Sequence, residues 1–227
     1  METLSGEKCF HSFASAIMEV LEKILAAAIE LFGQYGFKTI TMDDIARRAG
    51  VSKKTLYQHF ANKAEVVRDS VNWYKHHTTE SCMGELMNAS NAVEAMVRIL
   101  AFFDGEYKQM NPMALFELQR FFPDSFKEFK ALLMERDVQL MKENILQGKA
   151  EGVYRAEINA DLMARYRIET ALMAMQPSLL VNDRASLMNV ALEIGEHFMY
   201  GIMTPKGIAL YEEYKLQYLN NTTVSTI

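Results

Sequence analysis

The segment Val51–Phe60 reads VSKKTLYQHF, and only Val51, Leu56 and Phe60 in it are clearly apolar. Leu56 and Phe60 stand four apart, so on a helix they share one side. Lys54 and Gln58, also four apart, fall on the opposite side. Thr55 and Tyr57 flank them, and Lys53 and His59 sit on the shoulders. The outward face then offers an ammonium, an amide, a hydroxyl and a phenol. Those groups suit the edges of base pairs: lysine donates to guanine O6 and N7, glutamine pairs with adenine N6 and N7, and threonine touches a thymine methyl. The shoulder groups and the phenol suit phosphate oxygens, which set position on a duplex without reading it. A solvated helix with an ordinary polar face would carry the same residues, so the pattern needs support from its surroundings.

The elements that hold this segment are legible around it. In TMDDIARRAG, Thr41 is a good N-cap and Asp44 lies three residues on, a capping box with Asp in place of Glu. Asp43 and Asp44 also suit the positive end of the helix dipole. Gly50 ends that short helix and Ser52 caps the next. Two short helices joined by a tight glycine turn read as a helix-turn-helix. Before them, Ile17, Val20, Leu21, Ile24, Leu25, Ala28, Leu31 and Phe32 recur at helical spacing, and Gly36 suits a left-handed C-cap. After them a longer helix runs from about Lys63 into 75–79. Lys63, at its start, is placed where its amide and its ammonium can both hold a phosphate.

Charge is concentrated here. Residues 38–63 hold Lys38, Arg47, Arg48, Lys53, Lys54 and Lys63 against Asp43 and Asp44, a net of +4 in a chain whose total is −5. A basic corner on an acidic body is the electrostatic footprint of a nucleic-acid reader joined to something else.

The sequence ILAAAIELFGQYGFKTITMDDIARRAGVSKKTLYQHFANKAEVV closely resembles the N-terminal DNA-binding region of TetR-family transcriptional regulators. The resemblance covers about 45 residues and the pattern DIA..AGVSK.TLY.HF..K. It implies an all-α homodimer that is a repressor released from a near-palindromic operator by a small, largely apolar ligand. It implies three N-terminal helices for DNA and a C-terminal helical domain for ligand and dimerisation. Carried over by position, the DNA contacts fall on Thr41, Met42, Ser52, Lys53, Lys54, Thr55, Tyr57, Gln58, His59 and Lys63. Lys54 stands where many members have Gly, exchanging a close backbone approach for a cationic arm. Met42 replaces a frequent small polar residue and is expected to offer van der Waals contact only.

Expected boundaries are a flexible arm over 1–14, the helix-turn-helix domain over 15–62, the ligand-binding and dimerisation domain over 63–219, and a disordered tail over 220–227. Helices are expected at 92–109, from Pro112, from Pro123 to about Gly152, and over 160–175, 184–203 and 206–219. VYRAEI, at 153–158, reads as extended. Helix 184–203 is apolar on two sides, and such a helix is buried on two sides. One side fits its own core and the other a partner, which places a two-fold interface on Leu172, Met188, Leu192, Gly195 and Met199. The family resemblance places a ligand pocket in the body, where Phe103, Met110, Gln119, Phe122, Met134 and Arg167 are the candidate lining. Arg98 and Glu117 are further polar candidates. Such methionines and phenylalanines also suit a plain core.

Catalytic and metal chemistry find no support. The chain has no glycine-rich phosphate loop, nucleophile elbow, HExxH or CxxC. His76 with Glu80, and Glu193 with His197, are i, i+4 pairs, but two ligands are too few for a metal site. Cys9 and Cys82 fit no metal or redox spacing. The expectation is a cytoplasmic protein, with no membrane partner, no cofactor and no enzyme activity. A DNA-binding factor of the same fold that senses no small molecule, controlled by a protein partner or by abundance, remains the alternative.

Overall fold

The computed structural model describes residues 4–107, 110–176 and 187–219. Among these it is all-helical. The helices are α1 (Leu4–Tyr35), α2 (Met42–Ala49), α3 (Lys53–His59), α4 (Lys63–Asn88), α5 (Ala92–Tyr107), α6 (Ala114–Phe121), α7 (Pro123–Leu132), α8 (Val138–Ala150), α9 (Ala160–Ala174), α10 (Leu187–Ile202) and α11 (Pro205–Tyr218). The segment expected as a loose arm is helical from Leu4 onward. Phe10, Phe13 and Ile17 extend the helical spacing of the residues that follow, and one glycine does not break a run of good helix formers. The tail over 220–227, Pro177, and the start of the expected helix at 184 lie outside the described residues.

The run from Pro123 to Ala150, expected as one long helix, is interrupted by a π-turn at Leu133–Asp137 between α7 and α8. The expected extended segment makes an isolated antiparallel bridge between Tyr154 and Met203. It is fastened by Arg155 N–H donating to the Ile202 carbonyl at 2.9 Å and Thr204 N–H to that of Val153 at 3.0 Å.

Two apolar cores hold these helices. The first joins Ile24, Ala28 and Phe32 of α1, Ile45 of α2, Leu56 of α3 and Phe60 to Val66, Val67 and Val71 of α4. It continues to Leu115 and Leu118 of α6 and Leu172 of α9. The core of the reading unit therefore passes beyond 63, and the first turns of α4 belong to it. The second core packs Val93, Met96 and Val97 of α5 with Ile145 of α8, Ala164 of α9, Phe198, Met199 and Ile202 of α10, and Tyr211 of α11. Its polar centre is Tyr154, whose hydroxyl donates to the Ala92 carbonyl at 3.0 Å beside the Asn144 amide, which donates to the same oxygen at 2.9 Å. Burial of these groups is tolerated because each finds a partner.

Candidate DNA interface and body cavity

The helix-turn-helix is closed by its caps. The Thr41 hydroxyl accepts from Asp44 N–H at 3.2 Å, and an Asp44 carboxylate oxygen accepts from Thr41 N–H at 3.0 Å. Bonds from the Thr41 hydroxyl and amide hold the Asp44 carboxyl below the usual carboxylate range. Gly50 ends α2 at φ 67°, ψ 28°, the left-handed region that glycine enters without a Cβ clash. Its N–H closes back on the Arg47 carbonyl at 3.2 Å, and the Ser52 hydroxyl accepts from Thr55 N–H at 3.0 Å to start α3. Leu56 and Phe60 are buried, as their spacing requires. Lys53, Lys54, Tyr57 and Gln58 are exposed, and Thr55 and His59 are half-buried.

Two further candidate contacts are not fully exposed. Met42 is buried in the first core, because positions 42, 45 and 46 form the stripe of α2 that faces inward. Lys63 is half-buried. Its ammonium donates to the Lys38 carbonyl at 3.3 Å and lies 5.9 Å from the Phe32 and Phe122 ring centres. Burial pulls its pKa down, against the attraction of Glu117 and Asp44. Lys63 thus fastens the turn after α1 to the body. The basic corner is also partly neutralised. Arg48 pairs with Glu30 at 2.6 Å, Arg47 with Asp44 at 3.3 Å and Lys53 with Asp43 at 2.8 Å. Lys54, at the centre of the outward face, has no ion pair among the described residues.

The body encloses a cavity of about 760 Å³. Its walls come from α1, α4, α5, α6, α8 and α9 and from the α7 end and π-turn between α7 and α8. Of the candidate lining residues, Phe103, Met110 and Arg167 border it. Gln119 is exposed, Phe122 packs against Phe37 with ring centres 6.2 Å apart, and Met134 fills the seam between the two cores. Arg98 turns away to Glu94 at 2.8 Å, and Glu117 accepts from Lys38 N–H at 2.9 Å. These side chains miss the cavity because helix crossing, which periodicity does not encode, decides which face meets the space.

Polar wall groups absent from the expected set include Glu30, Lys75, Thr78, Asp137 and Asn144. Lys75 is almost fully buried and pairs with Asp137 at 2.7 Å. A signal for it existed: Lys75 shares the α4 stripe of Val67, Val71 and Thr78. Cys82 also lines the wall as a free thiol, and burial pushes its pKa up to about 12, so it is a poor nucleophile.

The expected dimer residues differ in exposure within the single chain. Leu172, Gly195 and Met199 are buried within the chain, Gly195 lying against Leu100 and Arg167. Leu192 is half-buried, and the Met188 side chain lies outside the described residues. On α10, Phe198, Met199 and Ile202 belong to the second core, while Val190, Ala191, Leu192 and Ile194 are half-buried. The apolar side chains left exposed nearby are Leu162, Tyr166 and Met173 of α9 and Tyr200 of α10. Of the i, i+4 pairs, His76 Nδ1 lies 2.9 Å from the Arg136 guanidinium, and His197 Nδ1 lies 2.8 Å from the Glu193 carbonyl. Among the described residues no helix is long and apolar enough to cross a membrane.

Comparison with known proteins follows the same division. Residues 24–69 match the profile described as bacterial regulatory proteins, tetR family. The transcriptional repressor KstR2 of Mycolicibacterium smegmatis is 26% identical over 170 residues, which span 68% of this chain and 77% of that one. The uncharacterised regulator YdeS of Bacillus subtilis is 51% identical, but over 47 residues that make 21% of this chain and 24% of that one. The solved FadR of Bacillus subtilis, in complex with stearoyl-CoA, superposes with a TM-score of 0.60 at 16% identity, covering 80% of this chain and 98% of that one. Identity is high over a short stretch and low over longer spans, while the helical architecture recurs. Residues 24–69 thus carry the DNA-binding region of the TetR family of transcriptional regulators, a family without enzymatic activity.

Proposed function

We propose that the chain represses transcription as a cytoplasmic homodimer on a near-palindromic operator and is released by a small, largely apolar molecule held in the body cavity. The observation that carries this reading is the sharing of elements: the cavity is walled by α1, α4 and α6, and the same three helices hold the reading unit. On α6, Leu115 and Leu118 border the cavity while the Glu117 carboxylate caps the turn after α1 through Lys38 N–H. Asn111 N–H donates to the Gly33 carbonyl at 2.6 Å beside it. A ligand that moves α6 therefore acts on the angle of the reading unit, and the ligand shifts the equilibrium only by its differential affinity for the two arrangements. The stearoyl-CoA held by FadR supports a ligand-filled body in this architecture.

On the DNA side, Lys54 and Gln58 read bases, Thr41, Ser52, Lys53, Thr55, Tyr57 and His59 place the helix, and Lys63 braces it from behind. In-vitro selection of bound duplexes should return a two-fold symmetric site. Lys54→Ala and Gln58→Ala should each relax preference at particular base pairs by about 1–3 kcal/mol. Unchanged preference in both variants would refute this assignment of the outward face.

A further inference from the structure

Lys75 and Asp137 form a charged pair in a mostly apolar wall. The lysine side chain is 5% exposed and the carboxylate 24%, and their separation is 2.7 Å. Lys75 also donates to the Thr79 hydroxyl, so two of its three N–H groups are engaged. Burial raises the Asp137 pKa against the pull of Lys75. A buried pair is no better for stability than well-packed apolar residues of the same volume. Here the backbone is bent to make it. Asp137 is the last residue of the π-turn, and one residue of register is roughly 100° of rotation about a helix. Without the extra residue the carboxylate would leave the cavity wall. π-turns concentrate at functional sites.

We infer that the part of the ligand enclosed in this cavity is uncharged and carries one hydroxyl or carbonyl group, seated between Lys75 and Asp137. This rests on the ligand-responsive reading given above. The third Lys75 N–H is a donor for an acceptor oxygen, and Asp137 accepts from a hydroxyl hydrogen. A carboxylate would have to compete with Asp137 for Lys75, and an ammonium with Lys75 for Asp137. The remaining charged wall residues do not alter the balance. Glu30 is neutralised by Arg48 at 2.6 Å, and the Arg167 guanidinium stands against the Phe198 ring, 5.9 Å from its centre. An ionised group placed among them loses its water without gaining a counter-charge. The volume, about 760 Å³, lies in the range of about 300–1,000 Å³ that holds a drug-sized molecule.

The single tryptophan, Trp73, lines the cavity with its ring centre 3.9 Å from that of His77 and the two planes tilted by 33°, so its emission reports occupancy. The test uses the full chain with 1-decanol, decanoate and decylammonium at about pH 8, read by Trp73 emission and by melting temperature. Decanol should bind at least about tenfold more tightly than either ion, a difference of about 1.4 kcal/mol. Asp137→Asn leaves Lys75 unneutralised and should turn the preference to decanoate. Lys75→Met should turn it to decylammonium. If one variant fails to fold, the other carries the test. Decanoate binding as tightly as decanol, or a ranking unmoved by Asp137→Asn, would overturn the inference and leave the ligand-responsive reading intact. Silence from all three probes at saturation would overturn both.

Discussion

Glu94 illustrates how individual groups here are set by their partners. It is buried, which alone would lift its carboxyl pKa. Bonds from Ser90 N–H at 2.7 Å, the Tyr218 hydroxyl at 2.8 Å and the Arg98 guanidinium outweigh that and hold it at about 2. A carboxyl whose folded-state pKa is depressed stabilises the fold above its unfolded value. That stabilisation is therefore complete above about pH 4.5 and is lost as pH falls toward 2. Glu94→Gln should cost about 1–3 kcal/mol at neutral pH, since it removes hydrogen bonds to a buried charge. The loss should shrink on acidification, and urea unfolding followed from pH 7 to pH 3 would detect it. The reading face shows the same dependence on partners: Lys53 is held by Asp43, while Lys54 has no ion pair among the described residues.

Helix packing sets the terms where the bridge meets α8. Gly148 lies in the interior of α8, where alanine would ordinarily be more stable by about 1 kcal/mol. A methyl group there would overlap the Tyr154 ring, which is itself buried and bonded to Ala92 and Asn144. Overpacking of a filled core costs about 1–3 kcal/mol, so the clash should exceed the propensity gain. Gly148→Ala is expected to lower the urea midpoint. A raised midpoint would mean that the Tyr154 ring moves freely, contrary to its burial. The π-turn between α7 and α8 is the opposite case, an irregularity that a straight periodic reading passes over and that sets the direction of Asp137.

The proposed dimer depends on faces that the chain does not cover for itself. Leu162, Tyr166 and Met173 are 58%, 53% and 45% exposed on one side of α9. Charges placed in the centre of such a face should prevent pairing, since an unpaired buried charge is not tolerated at an interface. Tyr166→Glu with Met173→Glu should give a helical monomer by sedimentation and circular dichroism. Its operator affinity should fall and its salt slope should be roughly halved, because one reading unit meets half the phosphates. A dimer that survives both changes would place the interface on another face.

Much of the reading unit was legible from local pattern because its determinants are local. A capping threonine with an aspartate three residues on, a glycine after the last turn, and two buried positions four apart define α2 and α3 without reference to distant residues. Met42 and Lys63 escaped that logic, since α1 and α6 decide what faces inward or is pinned. The cavity and the uncovered α9 face depend still more on distance in the chain. Lys75 lay visibly on an inward stripe, yet space beside it exists only because α4, α5, α6, α8 and α9 cross without filling it. Periodicity states which sides of a helix are apolar. Which neighbour covers each side, and where none does, is settled only when the helices pack together.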